Sequence, residues 1–191
     1  MHTLLKNIIS APSEQAVDRA AALFYSRSLK KGQTVLRQND IWSKAYLIET
    51  GLLRMHVIGF DGKEFNKSFH FEGALICPLT AEMEQQPSLF AITALEASRI
   101  WEAPVAEFRS VLGEYELWET LHTRLLERLI SQKLQREYDL LTLDGTSRYL
   151  KLCQTEPKLV ARVPVAQLAG YLGLTDVSLS RIRRGLKHLP D

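Results

Sequence analysis

The stretch Pro164–Leu186, PVAQLAGYLGLTDVSLSRIRRGL, decides how this chain is read. Pro164 suits the first turn of a helix, where a missing N–H leaves nothing unsatisfied. Val165, Leu168, Ala169 and Leu172 recur at helical spacing and form one inner face. Gly173 supplies a tight turn, and Thr175 caps a second helix. Inside that helix Leu179, Ile182 and Leu186 share a face. At about 100° per residue, Val177, Ser180, Arg181, Arg184 and His188 lie opposite them. Two short helices joined at a glycine, with the small Ala169 where they cross, predict a helix-turn-helix. An outward face with arginines and serines suits a DNA major groove. Arginine donates two hydrogen bonds to guanine O6 and N7, while Ser178, Ser180 or the helix N-terminus can hold a phosphate. An ordinary helical hairpin with a solvated basic face gives the same pattern, so the distribution of charge has to decide between them.

That distribution favours DNA. The chain has 191 residues with 24 Lys/Arg and 22 Asp/Glu, a net of +2 that says little as a sum. Residues 1–144 hold 16 basic and 19 acidic groups, net −3; residues 145–191 hold 8 and 3, net +5. A basic C-terminal segment on a mildly acidic body implies an anionic partner at that end.

Working toward the N-terminus, Asp144-Gly145-Thr146 breaks one helix and caps the next, which runs over 146–155. Before it, residues 114–143 read as a single helix of about 45 Å with no Gly or Pro inside. A short helix over 105–112 precedes it. The apolar rows of the long helix are Leu121, Leu125, Leu129 and Leu126, Ile130, Leu134, Tyr138. Such a stripe either packs on its own domain or forms a dimer seam. The length favours the seam, and the i, i+4 spacing excludes a strict coiled coil.

From Ser28 to Ala103 the period changes to that of strands. Thr34-Val35-Leu36, Ala45–Ile48, Leu52–Ile58, Phe65–Phe71 and Ala91–Trp101 are separated by turn signals at Asn39-Asp40, Thr50-Gly51, Asp61-Gly62 and Gly73. Asp61-Gly62 between apolar runs predicts a type I′ hairpin with both residues at positive φ. Six to eight short strands in this space mean an antiparallel sandwich or barrel. Residues 3–25 read as one or two short helices, the second capped by Ser13.

Composition excludes several classes. The longest run without a charged residue, Val163–Thr175, is thirteen residues, too short to span a bilayer. The opening MHTLLKNIIS lacks a basic region leading into a long apolar stretch, so no secretory signal and no membrane partner are expected. Two cysteines, Cys77 and Cys153, without a CxxC argue against a disulfide scaffold, a four-cysteine cluster or a Cys-based zinc finger, and point to a reducing cytoplasm. There is no HExxH, P-loop or GxSxG, so an enzyme is not expected. Glu114, Glu116 and Glu119 read as a solvated helix start rather than a catalytic set.

The segment Gly173-Leu174-Thr175 with Leu179-Ser180-Arg181 resembles the helix-turn-helix of the Crp/Fnr family of bacterial transcription regulators. The stretch YLIETGLLRMHVIGFDGKEF resembles that family's β-roll. FEGALI resembles the start of its ligand cassette, and Gln86-Pro87-Ser88 followed by ALEASRIW resembles the end. The order of elements agrees over nearly the whole chain. The resemblance implies an α+β protein. It would have an N-terminal antiparallel β-roll (a double-stranded β-helix, or jelly roll) over 1–113 and a long dimerisation helix over 114–144. A small helix-turn-helix domain over 145–191 would follow, lacking a full C-terminal wing. It implies a cytoplasmic homodimer that binds double-stranded DNA at a palindromic site, contacts RNA polymerase and responds to a small-molecule effector. The dimer residues it implies are Leu121, Leu125, Leu126, Leu129 and Ile130; the DNA-binding residues are Thr175, Val177, Ser178, Ser180, Arg181, Arg184 and His188.

The sequence also departs from the family. Cyclic-nucleotide members carry Gly-Glu-Leu in the cassette and an arginine before a small residue at its end. Here the matching positions read Gly73-Ala74-Leu75 and Pro87-Ser88-Leu89. A buried phosphate without a cationic partner costs several kcal/mol, so neither cAMP nor cGMP is expected to bind. Gly73, Ala74, Leu75, Pro87 and Ser88 remain the candidate pocket for another polar ligand, or the roll is a dimer scaffold only. No cofactor is expected: the N-terminal cysteine cluster of iron–sulfur members is missing, and His56, His70 and Cys77 are read as structural rather than haem ligands. Val177 stands where members often carry glutamate, so the half-site should differ, with Arg181 making the main base contact. Lys187, His188 and Lys158–Arg162 are expected to offset the missing wing. The competing reading is a ligand-binding or protein-interaction module with a vestigial helix-turn-helix.

Overall fold

The computed structural model describes residues 1–10 and 13–186. Two helices, α1 (His2–Ile9) and α2 (Glu14–Ala21), precede eight strands: β1 (Tyr25–Leu29), β2 (Thr34–Leu36), β3 (Lys44–Thr50), β4 (Leu53–Ile58), β5 (Glu64–His70), β6 (Leu75–Ile76), β7 (Ala91–Ala94) and β8 (Ser98–Pro104). A short helix, α3 (Ala81–Gln85), lies between β6 and β7. The strands form two antiparallel four-stranded sheets, ordered β1-β8-β3-β6 and β2-β7-β4-β5. Six helices follow: α4 (Val105–Glu114), α5 (Trp118–Thr142), α6 (Gly145–Thr155), α7 (Pro157–Arg162), α8 (Val165–Leu172) and α9 (Asp176–Leu186). The expected α+β roll followed by helices is the observed architecture.

Strand alternation builds the layers. In β3, Tyr46 and Ile48 point between the sheets, where they meet Leu53, Met55, Ile92 and Ile100. Ala45 and Leu47, one residue out of phase, face the other way. There they are covered by Leu5, Val17, Phe108, Leu112, Trp118 and Leu121 from α1, α2, α4 and α5. A third cluster joins Leu152, Leu159, Leu168, Leu172 and Leu179 to Leu52, Phe69, Phe71 and Leu95 of the roll. Each fully buried leucine contributes about 1.5–3 kcal/mol, so the C-terminal helices are held on the roll by a real apolar seat.

Four local expectations are corrected. The stretch Ala91–Trp101 is two strands in different sheets, because the chain crosses from one sheet to the other between Ala94 and Ser98. The strand region begins at Tyr25 rather than Ser28, since β1 pairs with β8 along its whole length. The hairpin is not type I′. Gly59 N–H donates to Lys63 O at 2.8 Å and Gly62 N–H to Gly59 O at 2.9 Å, and of Asp61 and Gly62 only Gly62 has positive φ, 78°. That is a three-residue connection closed by a left-handed glycine. Finally, the long helix starts at Trp118, not 114. The chain reverses at Glu116 (φ 57°), where Leu117 N–H donates to Leu112 O at 2.9 Å and Glu116 N–H to Gly113 O at 3.0 Å. This is a Schellman stop with a non-glycine left-handed residue, anchored by Leu112 and Leu117 in the helix-side core. Glu114 therefore ends α4 and pairs with Arg19, and only Glu119 lies in the first turn of α5.

Candidate functional site

The C-terminal helices form the hairpin expected from Pro164–Leu186. Gly173 is left-handed (φ 69°), and Leu174 N–H reaches back to Ala169 O at 2.9 Å. Thr175 Oγ1 accepts from Ser178 N–H at 3.1 Å and lies 2.8 Å from Ser178 Oγ, so both hydroxyls serve the helix cap. Leu179 is buried between α8 and α9, with Ile182 and Leu186 beside it. Val177 (67% exposed), Ser180, Arg181 and Arg184 face outward. Arg181 and Arg184 have no ion-pair partner among the described residues. Lys187 and His188 lie outside the described residues.

Arg162 does not face outward with this set. Its guanidinium donates to Glu72 Oε2 at 2.9 Å and Glu72 Oε1 at 2.8 Å, pairs with Glu96, and stacks 5.2 Å from the Phe71 ring. These bonds hold the Glu72 carboxyl down to about 2. Arg162 thus clamps α7 to the roll and is not available to grip a phosphate. Further bonds tie α8 to β4 and β5. Arg54 Nη1 donates to Gln167 Oε1 at 2.7 Å and to Asn66 Oδ1 at 3.1 Å; Asn66 Nδ2 donates to Gln167 O at 2.7 Å. Arg54 Nη2 pairs with Glu64. Phe69 meets Tyr171 edge-on at 5.3 Å, and Arg136 of α5 caps that ring at 4.7 Å.

The expected dimer stripe divides along α5. Leu121 is 1% exposed inside the helix-side core, and Leu125 packs against the same cluster. Leu121 is therefore removed from the candidate seam: it fills its own chain's core because Trp118 and Leu121 lie on the first turn of α5, directly against α4. Leu126 and Leu129 are half-buried. From there Ile130, Leu134, Tyr138 and Leu141 are exposed at 54%, 62%, 61% and 79%. They recur at i, i+4, i+8 and i+11, one unpartnered apolar stripe.

Residues 26–115 match the cyclic nucleotide-binding domain family. Among curated proteins, the transcriptional activator protein FnrA of Stutzerimonas stutzeri is 27% identical over 117 residues, which is 61% of this chain. The match spans 46% of FnrA, less than half that relative's length. Among solved structures, CLP of Xanthomonas campestris, described as a c-di-GMP-responsive global regulator, superposes with a TM-score of 0.71 at 17% identity, covering 94% of this chain and 96% of CLP. A CooA variant from Carboxydothermus hydrogenoformans gives 0.70 at 18% identity over 96% and 84%. With its helices, the chain has the Crp/Fnr fold.

Within the roll, the cassette residues point to different surroundings. Gly73 is a turn glycine (φ 81°): its N–H donates to Ile48 O at 2.9 Å, and Ala74 O accepts from Ile48 N–H at 3.0 Å. Ala74 packs into the inter-sheet core and Leu75 into the helix-side core, on opposite sides of the sheet. Ser88 is buried, and its hydroxyl is spent on Phe90, donating to O at 2.9 Å and accepting from N–H at 3.2 Å. Pro87 is exposed and forms a bridge with Ile41. The polar groups of these residues are thus taken up by Ile48 and Phe90, and Ala74 and Leu75 lie on opposite sides of the sheet. Cys77 lies in the helix-side core, where burial pushes its thiol up to about 12, and His56 lies on the far face of the other sheet.

Sequence reasoning missed the polar set on that far face. Arg54, His56 and Thr93 are buried there, and with Thr34, Arg37 and Glu64 they line a cleft. Its signal was present in Leu53-Arg54-Met55-His56: two polar residues at i, i+2 inside an apolar strand.

Proposed function

We propose that the chain is a homodimeric transcription regulator that reads a palindromic DNA site through α9. The observation that carries this reading is the outward face of α9, where Val177, Ser180, Arg181 and Arg184 are solvent-facing while Leu179 anchors the helix behind them. Arg181 and Arg184 lie one turn apart, at the spacing for adjacent base and phosphate contacts. Thr175 and Ser178 supply the capped helix N-terminus beside a phosphate.

The stripe Ile130, Leu134, Tyr138 and Leu141 supports a two-fold partner along α5, with Leu126 and Leu129 at its edge. Two copies would present two basic heads, each net +5 over residues 145–191. The effector is not cAMP in this reading. The cassette holds no arginine, and Ser88 already has both its partners in Phe90. Contact with RNA polymerase, a cytoplasmic setting and a regulatory rather than enzymatic role belong to the same proposal.

Binding of the full chain to DNA from upstream of its own gene, followed as a function of salt, tests it. A regulator shows a steep linear fall of log affinity with log salt and a specific component above the nonspecific background. No binding beyond random DNA at moderate salt would support the interaction-module reading instead.

A further inference from the structure

The outer face of the second sheet is recessed where β2, β4, β5 and β7 meet, and forms a cleft of about 530 Å³. Its floor differs from a solvated sheet face. Arg54 and His56 are 7% and 3% exposed, and Thr93 is buried beside them. A buried charge is costly unless paired, and so is a buried donor without a partner. Yet Arg54 Nε and His56 Nδ1 are both buried with no hydrogen-bond partner. His56 Nε2 lies 3.1 Å from Thr93 Oγ1, which lies 2.9 Å from Thr34 Oγ1. Burial and the neighbouring Arg54 charge hold the His56 imidazole below the usual histidine range. At the rim Arg37 is exposed and has no ion-pair partner among the described residues.

A carboxylate already stands over this floor. Glu64 pairs with Arg54, and its Oε1 lies 3.9 Å from His56 Nδ1. Its side chain is 40% exposed, so solvent is at hand for the carboxylate when another anion takes its place. Glu64 occupies the place of an anion held between a guanidinium and an imidazole.

We propose that this cleft is a binding site for a small oxyanion, a carboxylate or phosphate group, which displaces the Glu64 carboxylate. Arg54 and Arg37 hold its charge, and the Thr34 and Thr93 hydroxyls fix its orientation. None of Gly73, Ala74, Leu75, Pro87 or Ser88 lines the cleft, so the site is separate from the cassette. The guanidinium that receives the anion is the one that donates to Gln167 of α8. Occupancy is therefore felt at the helix-turn-helix. Only this coupling rests on the DNA-binding reading; the site itself does not.

The test is calorimetric and amide-NMR titration of the full chain with inorganic phosphate and with succinate, using dimethyl succinate as the uncharged control. The expected result is saturable binding of at least one anion, one per chain, with shifts centred on Arg37, Gln38, Asn39 and Thr93. Arg37→Gln weakens it by about tenfold or more, and Glu64→Gln tightens it by removing the competing charge. Arg99→Gln, on a surface arginine outside the cleft, leaves it unchanged. Phosphate alone or succinate alone identifies the headgroup. The proposal is overturned if neither anion binds saturably, if dimethyl succinate binds equally well, or if Arg37→Gln and Glu64→Gln leave the affinity unaltered. None of these outcomes depends on DNA, so failure of this site and failure of the regulator reading are distinguishable.

Discussion

Arg54 Nη1 lies 2.7 Å from Gln167 Oε1, and this bond joins the β-roll to α8 of the C-terminal hairpin. Asn66 donates to the same side chain at 2.8 Å and to the Gln167 carbonyl at 2.7 Å. Gln167→Ala leaves both donors short of an acceptor in a partly buried setting. It should destabilise the docked arrangement by about 1–3 kcal/mol. Urea unfolding reads the loss, and hydrogen exchange should show reduced protection across α8. Gln167→Glu keeps the acceptor and should restore most of it; equal loss in both variants would mean that the bond is not what holds α8.

The apolar stripe on α5 makes a prediction that separates its two halves. Leu134→Glu places a charge on the exposed stripe and should shift the chain toward monomer in sedimentation velocity, with little change in monomer folding. Leu121→Ala should instead cost about 2–5 kcal/mol of folding stability, because Leu121 fills the core of its own chain. If Leu134→Glu leaves the association state unaltered, the stripe is not the seam.

Gly51 is fixed by two independent constraints. Its φ is 102°, and a Cβ there would sit 2.1 Å from Ser98 Oγ. Gly51→Ala should destabilise the roll by more than about 1 kcal/mol. Combining it with Ser98→Gly removes the overlaps with Oγ and Cβ but leaves the residue 98 Cα 2.7 Å away and the backbone strain in place, so thermal unfolding should show only partial recovery. Full recovery would place the whole cost in the side-chain overlap.

The α8–α9 hairpin was legible because its signals are local: Gly173 and Thr175 each act within four residues of themselves. The two sheets were legible as strands but not as a topology, since no local signal marks where Ala91–Trp101 crosses between them. The stop at Glu116 was hidden for a related reason. It is set by Leu117 packing beside Leu112, not by a glycine. The cassette positions were found, but their use was not: Ser88 turns to Phe90, and Gly73 serves a turn. The cleft escaped because Arg54 and His56 look like solvent-facing residues until β2 and β7 are placed beside them.

Acid should weaken the fold in two steps. A histidine ordinarily takes its proton near 6.5, but burial and the charges of Lys67 and Arg128 hold His70 down to about 4. Between these values the unfolded chain binds more protons than the folded one, so stability falls as pH drops from 6.5 toward 4. His56 is depressed in the same direction. Glu72 acts lower down. Arg162 holds it at about 2 against an ordinary 4.5, so its contribution is complete above 4.5 and is lost as pH falls through about 2. Urea midpoints across this range should show the upper step shrink in His70→Gln and the lower one shrink in Arg162→Gln. A midpoint flat between 6.5 and 4 would contradict the placement of His70.

In the proposed function, α9 reads DNA through Arg181. Selection from a random DNA pool with the full chain, followed by affinity measurement on the winning sequence with the parent and Arg181→Ala, tests it most directly. The expected winner is a two-fold-symmetric site with half-sites about 34 Å apart. Arg181→Ala should lose about 1–3 kcal/mol of affinity there and little on random DNA. A pool that does not converge, or an Arg181→Ala chain that keeps its full affinity for the selected site, would contradict it.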